Sequence, residues 1–185
     1  MIEIRRLAAP EIGRLGEIDR SEQVRVGYTY RDEGLPSSAA KGLHSEAVDW
    51  RVPPWHSEGD GPHSLANMIR FCAQLLAEGG VFLGALDGDR LAGVAIVRCR
   101  LTEAMAQLAF LHVSRPHRRQ GIAARLTEEA VRLARQDGAE ELYVSATPSE
   151  SAVGFYLSQG FRPTDEPHPE LLTLEPDDIH LIKVL

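Results

Sequence analysis

The chain is poor in the residue sets that mark several large functional classes. It has two cysteines, Cys72 and Cys99, in apolar stretches without ligand-like spacing. Both are expected to be buried, reduced and inert. No two of its seven histidines stand at the i, i+4 spacing of a helical zinc site flanked by a catalytic Glu, so no protein-bound metal is expected. No apolar run approaches the ~18 residues of a membrane helix. The opening Met1-Ile2-Glu3-Ile4-Arg5-Arg6 alternates apolar and charged positions and lacks the apolar core of a signal peptide. A cytoplasmic protein without a membrane partner is the expectation. Positive charge is in deficit, with 20 Lys and Arg against 27 Asp and Glu and a net charge of −7. That balance excludes a general nucleic-acid binder and mildly favours cationic substrates. Gly-x-Gly-x-x-Gly is absent, as is the Gly-Lys-Ser/Thr of a phosphate-binding Walker loop, so the two commonest nucleotide motifs are excluded in those forms.

What is present describes an ordinary globular protein. The 185 residues are 43% hydrophobic and 25% charged, and the mean hydropathy is −0.20. These values suit one domain with one core over residues 1–185. Residues 2–7 read as a strand, and Pro10-Glu11-Ile12 opens a helix along Ile12, Leu15 and Ile18. From 21 to 64 the helical period fades. This segment reads either as short helices or as a substrate-side loop, and Tyr28, Tyr30, Trp50 and Trp55 argue against plain disorder. Ser64 caps a helix to about residue 78, ended by Gly79-Gly80. Strands follow at 81–86 and 91–100, joined by Asp87-Gly88-Asp89, and at 107–113. Ile122, Leu126, Ala130 and Leu133 stripe a helix over 122–136. A strand at 141–146, a helix at 150–158, a strand from Phe161 and a last strand at 179–184 complete a mixed α/β order.

The strongest local signal is the run Val113-Ser114-Arg115-Pro116-His117-Arg118-Arg119-Gln120-Gly121-Ile122-Ala123-Ala124. It ends a strand and opens a helix. A helix N-terminus presents unpaired N–H groups and the positive end of the helix dipole. Gly121 permits close backbone approach, and Ala123 is small. Basic residues at this end disfavour the helix itself, so Arg115, Arg118 and Arg119 point to an outside anion. A solvated basic loop is the plainer alternative.

At this loop the sequence resembles the GNAT superfamily of acyl-CoA-dependent N-acetyltransferases. The family's cofactor motif, Arg or Gln, two residues, Gly, any residue, then Gly or Ala, stands here as Arg118-Arg119-Gln120-Gly121-Ile122-Ala123. The preceding Leu111-His112-Val113 resembles its strand ending, and Phe155-Tyr156 followed by Gly160-Phe161 resembles its second motif. The likeness is good over 81–164 and weak before residue 65. It implies a single acetyltransferase domain with a mixed, twisted sheet of six to seven strands, flanking helices and splayed central strands. It also implies acetyl-CoA as co-substrate. Carried over, the backbone of Leu111 and Val113 would pair with the pantetheine arm, and the N–H groups of Arg119, Gln120, Gly121, Ile122, Ala123 and Ala124 would hold the diphosphate. Arg118 and Arg119 are side-chain candidates, and Ser149 and Ser151 fall where the family often places an Asn on CoA. Gln107 stands roughly where some members carry a basic Glu, and an amide cannot serve as that base.

An alkylammonium cannot attack a thioester until a base removes a proton, and the oxyanion and the leaving thiolate then need donors. Tyr156, in the Phe-Tyr motif, is the candidate acid. His112 is a candidate base, or else a satisfied core or edge histidine along the strand with Leu108 and Phe110. Glu22, Asp32, Glu33 and Glu46 are further base candidates. Tyr28, Tyr30, Trp50 and Trp55 can either wall a pocket for a cation or pack. The expected function is acetylation of a small-molecule primary amine in a ternary complex, by a monomer or homodimer. An acyl-CoA sensor without turnover and a protein or peptide N-acetyltransferase are the alternatives.

Overall fold

Residues with alternating and continuous apolar runs set the architecture of the computed structural model, which describes residues 1–31, 42–59, 61 and 63–185. Asp32 and Glu33 lie outside the described residues. The chain divides into two units. One comprises Met1–Glu22, Val52–Leu142 and Leu185, the other Gln23–Arg51 and Tyr143–Val184.

In the first unit, strands β1 (Ile2–Arg6), β4 (Val81–Asp87), β5 (Arg90–Arg98) and β6 (Met105–Val113) lie in the order β1-β4-β5-β6. All three pairings are antiparallel, with Ile4 opposite Ala85, Gly84 opposite Val94 and Gly93 opposite Val113. β5 is central. Its Leu91, Ala92, Val94, Ala95, Ile96 and Val97 are all buried, because both faces of the sheet are covered. One face carries a 3₁₀ helix (Ala9–Glu17) and α1 (Leu65–Ala77), whose Leu15, Cys72 and Leu75 join Phe82, Val94, Ile96 and Phe110 in one cluster. The other parity of β5 faces α2 (Ile122–Gln136). A Cβ on Gly93 would stand 3.0 Å from Ile122 Cγ2 and 3.3 Å from Leu126 Cδ1. The missing side chain lets the helix sit close.

Helix α1 begins as expected, with Ser64 Oγ accepting from the Asn67 N–H at 3.1 Å. The first predicted helix is a 3₁₀ helix, braced by Glu17, which accepts from the Leu91 N–H at 2.7 Å. Cys72 is buried and its thiol is pushed up to about 12 by burial. Cys99 is only partly buried, because it follows the end of β5, where the two covering layers run out. The expectation of a buried thiol fails there.

In the second unit, β7 (Glu141–Ala146, from Tyr143 onward), β9 (Ile179–Val184) and β8 (Arg162–Pro163) follow the order β7-β9-β8, and β8 and β9 pair antiparallel. A single π turn (Glu150–Gly154) leads into α3 (Phe155–Ser158), and α4 (Pro169–Leu174) precedes β9. The predicted helix at 150–158 is therefore two pieces. Segment 21–64 is corrected: among its described residues it holds neither short helices nor only loop. β2 (Glu22–Arg31) and β3 (Gly42–Val52) form a two-stranded sheet. The physical reason is a period of two. Val24, Val26, Tyr28 and Tyr30 fall on one side of β2, while Gln23 and Arg25 are exposed and both donate to Asp49 Oδ1 on β3 at 2.6 Å. Among the described residues no helix is long and apolar enough to cross a membrane.

Candidate functional site

The basic loop closes on itself through backbone geometry. A short 3₁₀ turn (Arg115–His117) follows Ser114, whose Oγ accepts from the Asp19 N–H at 3.0 Å, and Arg115 N–H donates to Asp19 O at 2.8 Å. Arg119 (φ 64°) and Gly121 (φ 77°) then adopt the left-handed conformation. Gln120 Nε2 donates to Pro116 O at 3.3 Å. Gly121 is the N-cap of α2 and offers no side chain to the first turn. The first intrahelical bond runs from Arg125 N–H to Gly121 O at 3.1 Å. The N–H groups of Ile122, Ala123 and Ala124 therefore have no partner within the helix. A Cβ on Gly121 would meet no atom within 4 Å, so open space lies beside these donors. Donors, dipole and space fit a diphosphate.

The arginines of this loop divide their work. Arg118 turns inward: Nε donates to Val113 O at 3.1 Å, a terminal nitrogen donates to Arg20 O at 3.0 Å, and the other faces Glu22 at 3.4 Å. It ties the end of β6 to the segment before β2, and Glu22, a candidate base, is its counter-ion. Arg119 is exposed. His117 Nε2 lies 3.6 Å from Asp87, and its Nδ1 is buried without a hydrogen bond.

Along β6, Leu111 and Val113 stand opposite Ala95 and Gly93. His112 between them packs against the rings of Phe110 (4.6 Å) and Trp55 (5.4 Å). Burial first, then Arg20 and Arg118, lower its pKa to about 4. At neutral pH it is an uncharged ring, far too weak a base to hold an ammonium proton. Arg20, which sequence reasoning missed, lies 4.2 Å over the Trp55 ring and donates to Pro53 O at 2.9 Å. An isolated Arg in an aperiodic stretch gave no signal. Gln107 is buried and accepts from Arg98 at 3.0 Å, a structural role.

In the second unit Tyr156 is 7% exposed, with its ring between Phe155 and Phe161 at 5.2 Å each. Its hydroxyl has no hydrogen-bond partner among the described residues. Burial, and secondarily Asp178, push its pKa upward, so it is a neutral donor at physiological pH. Ser149 is buried and caps the π turn, accepting from Ala152 N–H at 3.3 Å and lying 3.1 Å from Ser151 Oγ. Tyr28 N–H donates to Pro148 O at 3.0 Å, and its hydroxyl is 3.7 Å from where a Gly154 Cβ would stand. Tyr30 donates to His180 O at 3.3 Å, and burial raises its pKa to about 12. Of the four aromatic candidates, Tyr28, Tyr30 and Trp50 belong to the unit that holds Tyr156. Trp55 belongs with His112, and Trp50 is half-buried on β3, the strand that also carries exposed Glu46.

Sequence reasoning also missed Glu175 and Asp178, which flank the turn between α4 and β9. Asp178 N–H donates to Glu175 O at 3.2 Å. Burial, then the charges of Glu175 and Asp177, raise Asp178 to about 7. Glu175 is raised by burial and accepts from Ser145. Acidic residues near a C-terminal strand carry no motif, so only their burial reveals them.

Comparison with known proteins places this geometry. The family model for the acetyltransferase (GNAT) domain matches residues 60–170, more than half of the chain. The mouse protein N-acetyltransferase 8 is 34% identical over 104 residues, covering 54% of this chain and 46% of its own length. N-alpha-acetyltransferase 30 of Schizosaccharomyces pombe is 33% identical over 81 residues, 42% of this chain and 54% of its own. The chain thus spans about half the length of these curated relatives. The crystal structure of nourseothricin acetyltransferase matches with a TM-score of 0.68 at 16% identity, covering 98% of this chain and 95% of that one. Other solved neighbours carry acetyl coenzyme A or coenzyme A. The fold is GNAT-like, a mixed α/β arrangement with seven strands in a mixed sheet and flanking helices. With its domain model matched across the loop and the Phe-Tyr motif together, the chain belongs to the GNAT acetyltransferase superfamily.

Proposed function

We propose that the protein is an acetyl-CoA-dependent N-acetyltransferase of the cytoplasm, built as one domain over residues 1–185, that acetylates a primary amine of a small molecule by direct attack. The observation that carries the reading is the start of α2, where the amides of Ile122, Ala123 and Ala124 lack helical partners beside open space at Gly121. In this reading those amides hold the diphosphate, Leu111 and Val113 present strand backbone to the pantetheine arm, and Arg119 adds charge from the exposed side. Arg118 contributes by holding the loop, since its donors are engaged within the protein. Tyr156 gives its phenolic proton to the leaving thiolate, a role suited to a hydroxyl with no competing partner. The small-molecule substrate is supported by net negative charge and by the tyrosines of β2 in the unit of Tyr156.

A thiol-release screen over amino acids, polyamines, aminoglycosides and peptides tests the proposal. Release of CoA with one class of small amine, dependent on enzyme, is the expected result. Release only with peptides bearing a free N-terminus favours the second reading, peptide N-acetylation, which the 33% identity to an N-alpha-acetyltransferase motivates.

A further inference from the structure

Arg20 is a half-buried cation without an anion. Its guanidinium lies 4.2 Å over the Trp55 ring, Nε donates to Pro53 O at 2.9 Å, and one terminal nitrogen faces His63 Nδ1 at 3.4 Å. A guanidinium has five N–H donors, so most of the terminal ones are left over. Two other half-buried arginines of the same unit show the ordinary arrangement: Arg14 holds Glu17 at 2.7 Å, and Arg118 faces Glu22 at 3.4 Å. Arg20 forms no ion pair among the described residues. The neighbouring acids are engaged elsewhere, Glu22 with Arg118 and Asp19 with the Ser21 N–H at 2.9 Å. The aromatic face under Arg20 offsets part of the cost of enclosing the charge, but it is a weaker partner than a carboxylate.

The groups around it are also short of acceptors. Trp55 Nε1 is buried and has no hydrogen-bond partner. His112, its ring 5.4 Å from that of Trp55, makes no hydrogen bond among the described residues. Donors gathered without acceptors mark a place where a ligand oxygen supplies what is missing. The backbone fixes where the cation stands. Arg118 donates to Val113 O at 3.1 Å and to Arg20 O at 3.0 Å, which ties Arg20 to the end of β6. His112 sits on that strand between Leu111 and Val113. In the acetyltransferase reading this is the strand that receives the acyl arm, so the unpaired cation is anchored beside it.

We propose that Arg20 is the carboxylate subsite of the acceptor, and that the acceptor is a free amino acid, one small molecule carrying both a primary amine and a carboxylate. The guanidinium donates to the carboxylate oxygens, with the Trp55 ring as its floor. An arginine suits this task because its planar fork matches a carboxylate and keeps its charge at any working pH. An amine without a carboxylate leaves the enclosed charge unpaired, so the site discriminates against it. A zwitterion also fits a protein of net charge −7, since it is neutral overall and approaches without the repulsion that a simple anion meets. The inference rests on the acetyltransferase reading for the fate of the amine, whereas the carboxylate half stands on the unpaired cation itself.

The test titrates each proteinogenic L-amino acid that has a primary amine into the full chain by calorimetry, with and without coenzyme A. The tightest binder is then compared with its own decarboxylated amine on wild type, and wild type is compared with Arg20→Gln. Saturable binding of at least one amino acid is expected, at least about tenfold weaker both for the amine counterpart and for Arg20→Gln. In thiol release Arg20→Gln should raise KM for that amino acid about tenfold or more with kcat little changed, a split that a merely structural role would not produce. Absence of binding by every amino acid overturns the inference. Equal binding of the amino acid and its amine to wild type also overturns it, and this comparison needs no folded variant. So does Arg20→Gln binding the amino acid as tightly as wild type. Arg20-dependent amino acid binding without thiol release strikes the acetyltransferase reading and leaves the carboxylate subsite standing. Thiol release confined to amines that lack a carboxylate does the reverse.

Discussion

Tyr156 and Asp178 show how burial, with neighbouring charge behind it, changes what an ordinary side chain does. Tyr156, packed between two phenylalanine rings, keeps its proton at physiological pH, and its hydroxyl has no hydrogen-bond partner among the described residues. Tyr156→Phe should lower kcat by about a hundredfold while leaving acetyl-CoA affinity unchanged, measured by thiol release and calorimetry. A loss of affinity with kcat retained would assign the ring to packing. Asp178 has the opposite difficulty, because its charged form is disfavoured in the fold. Its folded pKa of about 7 lies above the unfolded value, so its ionisation destabilises the protein as pH rises from the unfolded pKa through 7, and fully above that. Asp178→Asn should therefore raise Tm at pH 8 and leave it nearly unchanged at pH 4, as scanning calorimetry can check. An equal change at both pH values would show that the carboxylate is not disfavoured. His112 teaches the same lesson from the other side. Its place in the strand offered a base, and its surroundings of Phe110, Trp55 and Arg20 weaken it as one. The sequence displayed both side chains, but not the rings and charges that tune them.

At the scale of elements, legibility follows the strength of the local period. Helix α2 starts at Ile122 and ends at Gln136, as its apolar stripe and Asp137-Gly138 stop foretold, and β7 and β9 likewise keep their expected bounds. The pair β2 and β3 was not legible, although Val24, Val26, Tyr28 and Tyr30 alternate. Gly27 interrupts the run, and polar neighbours masked a strand that is only partly buried. Helix α4 escaped notice because Pro169 and Pro176 bracket it closely, which reads as loop. The tight seat of α2 on β5 depends on Gly93. Gly93→Val should push Ile122 and Leu126 outward and cost about 1–3 kcal/mol by overpacking, seen as a lower Tm. An unchanged Tm would mean that the helix has room the distances deny.

For the whole molecule, the sequence carried the family and the fold further than it carried the chemistry. The cofactor loop announced itself because it breaks a local rule: basic residues crowd the positive end of a helix in a chain of net charge −7. The tyrosines proposed to stand on the amine side come from distant stretches: Tyr28 and Tyr30 share a folded unit with Tyr156. The family model, which runs from residue 60 to 170, begins after both tyrosines of β2. The proposed diphosphate loop lies inside that stretch, whereas the β2 tyrosines lie outside it.

The most direct measurement is a calorimetric titration of acetyl-CoA into wild type and Gly121→Val. A branched side chain at that left-handed position would fill the open space beside the first amides of α2. The account predicts saturable binding to wild type and at least about tenfold weaker binding to the variant, with unchanged far-UV circular dichroism. Wild type that fails to bind, or a variant that binds equally well, would contradict it.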